Sequence, residues 1–243
     1  ILNTNFVKFK RPKSIKFIGS GSAILPLQMK KRFEKKFKIK ISNLYGLSEI
    51  GCSHFQDPFI KNEKTGHIGK ILPAFKFKIF KQKDLSGTKE IGELGIKSKT
   101  LLSNYHNNYD LFKKNFRKNY FLTGDLISVD KKKNFFYIDR KKDLIIKGGV
   151  NILPSEIEEI LQNFKGIKDV AVTSIFDEFY GENVCCFLVS HKNVDLDLNK
   201  IDSFCLKNLG SFKKPSKYVI LKNLPKGPSG KVLKIELKRI HEK

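Results

Sequence analysis

Tryptophan is absent from this chain of 243 residues, methionine occurs once, and only five of its 48 basic residues are arginine. The shortage of Arg bears on function. A site that reads phosphates or base edges by geometry uses the planar guanidinium fork, which bonds in pairs. The five are Arg11, Arg32, Arg117, Arg140 and Arg239. The net charge of +24 therefore comes from lysines spread along the whole chain, among abundant Ile, Asn and Phe. That combination follows from the codons of a genome rich in A and T. Charge of this kind speaks to solubility and non-specific binding, and no nucleic-acid-reading motif accompanies it, so no specific nucleic-acid partner is expected.

Other absences narrow the class further. No apolar run comes near the ~20 residues of a membrane-spanning helix, so no transmembrane segment is expected. No signal-peptide pattern is visible. Cysteine is limited to Cys52, Cys185, Cys186 and Cys205, with no C-x-x-C pair. These read as small apolar residues in a reducing compartment, and adjacent Cys185 and Cys186 would face opposite sides of a strand. The five histidines show no metal-ligand spacing, which leaves a cytoplasmic protein without structural metal as the expectation. The chain opens on Ile1 rather than Met, which suggests a fragment or a cut within a longer reading frame.

The hydrophobic content of 40% suffices for a packed core, and the length fits one large domain or two modest ones. Residues 15–18 read as a buried strand leading into Gly19-Ser20-Gly21-Ser22. A helix is expected from Pro26 to about Phe37, and a second strand over 38–42 before the loop Tyr45-Gly46-Leu47-Ser48-Glu49. Strand, helix and strand with glycine-bearing loops make an α/β unit. From about 66 to 138 short alternating strands predict a small β-rich subdomain, with 126–129 and 135–138 forming a hairpin. The charged run Asp139-Arg140-Lys141-Lys142-Asp143 is a candidate hinge. Beyond it are expected a strand (144–147), a Gly148-Gly149 turn and a helix from Pro154 to about 163. Strands at 170–175 and 184–189, a helix at 196–209, a strand at 217–221 and a helix at 234–241 follow. The fold class is thus α/β for residues 1–139, followed by a small α+β domain at 140–243.

Several segments stand out: Gly19-Ser20-Gly21-Ser22-Ala23, Tyr45-Gly46-Leu47-Ser48-Glu49, Thr123-Gly124-Asp125, the run from Arg140 through Gly148-Gly149, Asn151 to Glu158, and Pro228-Ser229-Gly230-Lys231. Each alone has a plain structural reading. Asp125 can be a turn-capping residue, Arg140 a surface ion pair, and residues 140–143 a solvated linker. Asn43 can be a turn former, Gly21, Ser22 and Ala23 a tight turn, and Gly148-Gly149 a hairpin turn. In this order and spacing, over nearly the whole chain, they resemble the adenylate-forming superfamily of acyl-CoA synthetases, peptide-synthetase adenylation domains and luciferases. The resemblance covers roughly the last half of the family's length. It implies the C-terminal part of a large AMP-binding domain followed by a small lid domain.

That resemblance implies ATP, Mg²⁺ and CoA as cosubstrates and cofactor, with a carboxylic acid as the other substrate. Asp125 and Arg140 would contact the ribose. Tyr45 would offer a flat face to adenine, Asn43 would bond its amine, and Gly21, Ser22 and Ala23 would let backbone approach the ring. Ser48, where the family usually has Thr, would reach the α-phosphate, and Glu49 would supply the oxygen Mg²⁺ prefers. Lys231 would neutralise charge between the carboxylate and the α-phosphate. Lys142 would be the hinge, and Gly148-Gly149 would leave room for the pantetheine arm of CoA. The family's upstream Gly/Ser/Thr-rich phosphate loop has no counterpart here, and Asn104 stands where Gly usually precedes Tyr105. The expected activity is a carboxylate–CoA ligase acting through an acyl adenylate, in fatty-acid or aryl-acid metabolism, with this stretch inactive alone. Loading of a carrier protein, or a non-catalytic remnant acting as a binding module, are the competing readings. Homo-oligomerisation and the acid itself are not legible.

Overall fold

A computed structural model of the chain describes residues 12–60, 64–81 and 91–241. Two compact units meet at the Ile138/Asp139 boundary.

In the first unit, β1 (Phe17–Ser20), α1 (Leu27–Phe37) and β2 (Lys40–Leu47) form the expected β–α–β arrangement, with β1 and β2 parallel. The helix ends because Lys38 turns left-handed (φ 55°) and returns its N–H to the Glu34 carbonyl. Phe37, stacked on Phe33, anchors the helix from its last position. Next come β3 (Gly51–Phe55), β4 (His67–Ile71), β5 (Phe75–Lys81), β6 (Ile91–Ser98), α2 (Tyr109–Lys114), β7 (Phe116–Arg117), β8 (Tyr120–Val129) and β9 (Phe135–Arg140). The strands β1 to β9 belong to one nine-stranded sheet of order β1-β2-β3-β4-β9-β8-β6-β5, with β7 beside β8.

The α/β unit and the β-rich part therefore share a single sheet. The segment Tyr45–Leu47, expected in a loop, is the end of β2. The unforeseen strand β3 pairs with it antiparallel and satisfies its backbone groups. The first strand starts two residues later than expected, at Phe17. The core of this unit mixes aromatic and aliphatic side chains: Phe112, Phe121, Phe135 and Tyr45 are buried with Ile50, Ile68, Leu94, Ile96 and Ile127. Phe135 packs edge-on to Phe77 at 4.8 Å between ring centroids.

The second unit holds a single 3-10 turn, Lys141–Asp143, then β10 (Ile145–Lys147), β11 (Val150–Ile152), α3 (Pro154–Gln162), β12 (Ile167–Asp177), β13 (Gly181–Ser190), α4 (Leu198–Lys213), β14 (Lys217–Ile220) and α5 (Lys234–His241). Its five-stranded sheet runs β11-β10-β13-β12, with β14 parallel to β13. As expected, Cys185 and Cys186 face opposite ways. Cys186 packs with Ile157 and Leu161 of α3 and Ile201 and Cys205 of α4. Cys185 packs with Ala171, Phe187, Leu224 and Leu237 of α5. The sheet thus has an apolar core on each face. Among the described residues no helix is long and apolar enough to cross a membrane.

Candidate functional site

Asp125 was expected in a turn but sits inside β8, where the pairing with β6 slips. Leu122 faces Gly95 and Leu126 faces Glu93, so the strand bulges between them. Gly124, at φ 72°, supplies the left-handed residue this bulge needs. The bulge turns the Asp125 carboxylate inward, leaving the residue 1% exposed. There Oδ2 accepts a hydrogen bond of 2.6 Å from the hydroxyl of Tyr45, eighty positions earlier. The Asp125 N–H bonds Thr123 Oγ1, which itself donates to the Leu94 carbonyl. Burial first, and the Asp125 charge second, hold the Tyr45 phenol well above its ordinary range, so it stays a donor. The Tyr45 ring is buried, with its edge toward His54, and His54 lies against Phe135. That imidazole bonds Ser53 Oγ through Nδ1, while buried Nε2 has no hydrogen-bond partner. Burial pulls its pKa down to about 3, which makes it a neutral core residue.

Ser48 and Glu49 occupy the turn between β2 and β3, closed by Ile50 N–H donating to the Leu47 carbonyl. Ser48 is exposed and Glu49 half-buried. The segment before α2 clamps this turn. Leu102 N–H donates to the Glu49 carbonyl, Thr100 Oγ1 to the Ile50 carbonyl, and the Tyr105 hydroxyl to Glu49 Oε1 at 3.0 Å. Burial, then the bond to Glu49, raises the Tyr105 phenol. Tyr105 is a partner that sequence reasoning missed, since nothing local links two residues so far apart. Among the described residues no cluster of three His, Cys, Asp or Glu could hold a metal. One oriented carboxylate beside an exposed hydroxyl does fit Mg²⁺, which keeps several waters and takes its other oxygens from phosphates.

Gly21, Ser22 and Ala23 follow the carboxyl end of β1 and are exposed, with Ser22 at φ 70°. A Cβ on Gly21 would lie 3.4 Å from the Leu44 carbonyl, so this loop runs close beside β2. Asn43, opposite Ser20 across the parallel pair, gives its side-chain amide N–H to the His67 carbonyl. The carboxyl ends of parallel strands are where open α/β sheets take ligands, and these residues sit there.

In the second unit, Arg140 is half-buried where β9 ends, and Lys142 is exposed in the 3-10 turn. Buried Asp139, the next-to-last residue of β9, accepts from Arg140 N–H and from Ser155 N–H at the start of α3, where a negative charge suits the helix dipole. Gly148 and Gly149, at φ 53° and 80°, form a two-residue turn closing β10 on β11, the hairpin geometry that favours left-handed residues. Just before it stands buried Lys147, part of the motif run but given no role from the sequence. Its Nζ donates to the Phe212 carbonyl and stands 5.0 Å from the Tyr180 ring centroid and 5.1 Å from that of Phe212. Burial lowers its pKa. Lys231 is exposed on a hairpin closed by Gly227 N–H to the Lys231 carbonyl and Leu233 N–H to the Pro225 carbonyl.

The family model for AMP-binding enzymes matches residues 1–106, and that for the AMP-binding enzyme C-terminal domain matches residues 156–231. A long-chain-fatty-acid–CoA ligase of Bacillus subtilis is 36% identical over 227 residues, covering 92% of this chain and 40% of the relative. ATP-bound MatB from Rhodopseudomonas palustris superposes with a TM-score of 0.85 at 26% identity, covering 93% of this chain and 45% of that one. The o-succinylbenzoate CoA synthetase (MenE) of Bacillus subtilis, in complex with the acyl-adenylate intermediate OSB-AMP, gives a TM-score of 0.81 at 28% identity, covering 96% and 48%. The chain spans a little under half the length of these relatives.

Proposed function

Because the chain belongs to the adenylate-forming, AMP-binding superfamily and has acyl-CoA ligase character, we propose that it forms part of an ATP-dependent carboxylate–CoA ligase. A carboxylate oxygen bonds the α-phosphorus of ATP as the α–β bridging bond breaks and pyrophosphate leaves. The CoA thiol sulfur then attacks the acyl carbon, its proton is lost, and AMP departs. The observation that most supports the reading is the likeness, along 96% of the chain, to a CoA synthetase solved with an acyl adenylate.

The residues divide the work. Asp125, fixed by Tyr45, accepts from the ribose hydroxyls, with Arg140 as a second ribose contact. Gly21, Ser22 and Ala23 border the adenine, Tyr45 and Asn43 lie beside it, and Ser48 reaches the α-phosphate. Glu49, oriented by Tyr105, would hold Mg²⁺, whose charge offsets that of the phosphates when it is bound. Lys231 brings an ammonium to the junction of carboxylate and α-phosphate, where negative charge concentrates as the bond forms. Lys142 is the hinge between the two half-reactions, and the Gly148-Gly149 turn borders the pantetheine arm. The free cysteines suit a reducing, cytoplasmic location.

The test is pyrophosphate release by the protein expressed from its complete reading frame, over a panel of carboxylic acids, with and without CoA. One acid class is expected to release pyrophosphate, and CoA to sustain turnover. Turnover with an acyl carrier protein in place of CoA would point to carrier loading. Silence with every acid would leave a non-catalytic binding module.

A further inference from the structure

Lys231 projects from residues 225–233, and the structure secures both stems of that hairpin to the same platform. On the incoming stem, Lys226 pairs with Val232 across the hairpin, and its Nζ lies 2.6 Å from Oδ2 of Asp169 on β12. On the outgoing stem, Lys234 Nζ lies 3.3 Å from Oε1 of Glu158 on α3. That same Glu158 oxygen accepts from Val172 N–H of β12 at 2.8 Å. One turn further, Lys238 donates to Ser174 Oγ, again on β12. Leu224 and Leu237 bury themselves on either side of the hairpin against Ala171 and Phe187. The tip is closed by its own turn, in which Gly230, at φ 79° just before Lys231, donates its N–H to the Gly227 carbonyl.

Resting on the ligase reading, we infer that Asp169 and Glu158 are positioning residues for adenylation, which hold the Lys231 hairpin in one orientation on β12 and α3. The half-exposed Lys226–Asp169 pair contributes little to folding, as such pairs do. It fixes the direction of a short arm with the reacting ammonium at its end. A displacement of about 1 Å at a reacting group costs on the order of 100-fold in rate, so an arm released at one stem loses rate without losing the fold. The lysine acts before the acyl adenylate exists. Release of the arm therefore weakens only the first half-reaction.

The experiment uses the complete protein in five forms: wild type, Asp169→Ala, the charge-reversed D169K/K226D pair, Lys234→Met and Lys231→Ala. Lys234→Met provides a second route to the same hairpin through its other stem. Adenylation is read as pyrophosphate release, and the second half-reaction as thioester formation from supplied acyl adenylate. Asp169→Ala and Lys234→Met are expected to lower kcat for adenylation by about 10-fold to 100-fold with little change in KM for ATP. Thioester formation from the supplied adenylate is expected to stay within about 2-fold, and charge reversal to restore most of the lost adenylation. Unchanged adenylation, an equal fall in both half-reactions, or no rescue by the reversed pair would overturn the inference. The Lys231→Ala arm separates the two levels of the account. If adenylation survives it, the ligase reading fails; if that variant is impaired and Asp169→Ala is not, only the positioning role fails.

Discussion

Asp125 of the first unit and Lys231 of the second are held in opposite ways. Asp125 is buried in a sheet, bonded by a phenol from a distant strand and backed by a core of aromatic and aliphatic side chains. Lys231 stands exposed on a hairpin, and the ties that orient it lie at the stems, on β12 and α3. A buried carboxylate needs its partners at hand, since leaving it unbonded costs several kcal/mol. An exposed ammonium needs none, and its scaffold sets only its direction. The first unit therefore ties its candidate residue to its core, and the second separates the two.

The sharpest break in this comparison comes from the cores themselves. Phe135→Ala removes a fully buried ring that touches His54 and Phe77. It is expected to destabilise the first unit by about 3–5 kcal/mol and to loosen Tyr45 with it. Leu161→Ala is expected to destabilise the second unit by about 2–5 kcal/mol while leaving the Lys231 hairpin ordered in the fraction that folds. Amide exchange resolved by unit would measure both.

Acid distinguishes the units next. His54 is held neutral by burial, with a pKa of about 3 against 6.5 in the unfolded chain. Below pH 6.5 the unfolded state takes a proton that the folded state refuses. The stability this group confers is complete above that pH and declines as pH falls toward 3, at about 1.4 kcal/mol per pH unit. Chemical denaturation across this window should show the slope in the first unit, and His54→Phe should flatten it.

Smaller effects sharpen the contrast. Tyr45→Phe deletes the donor to Asp125 and is expected to cost about 1–3 kcal/mol, visible as a lower denaturant midpoint and weaker ATP binding by calorimetry. In the second unit, Asp197 caps α4 by accepting from Asn199 and Lys200 N–H. Asp197→Ala should cost about 1 kcal/mol, with ATP affinity unmoved.

What the sequence disclosed follows the same divide. In the second unit, the Gly148-Gly149 turn and the helices opened by Pro154 and Lys234 rest on local signals, and all are found near the expected positions. The first unit depends on pairing at long range. The strand β3 carries no local mark, and without it Tyr45–Leu47 read as a loop. The bulge at Gly124 shows only when β8 is laid against β6. The Tyr45–Asp125 and Tyr105–Glu49 bonds join residues 80 and 56 positions apart, a distance at which no periodicity operates. The motifs contain Tyr45, Asp125, Glu49 and Lys147, and nothing local in them marks the Tyr45–Asp125 bond, the Tyr105 hydroxyl on Glu49 or the burial of Lys147.

The central claim is that the exposed lysine of the second unit drives adenylate formation. Pyrophosphate release by Lys231→Ala in the complete protein, compared with thioester formation from supplied acyl adenylate, tests it most directly. The account predicts a fall in pyrophosphate release of about 100-fold to 1,000-fold with thioester formation retained. Release at the wild-type rate would contradict it.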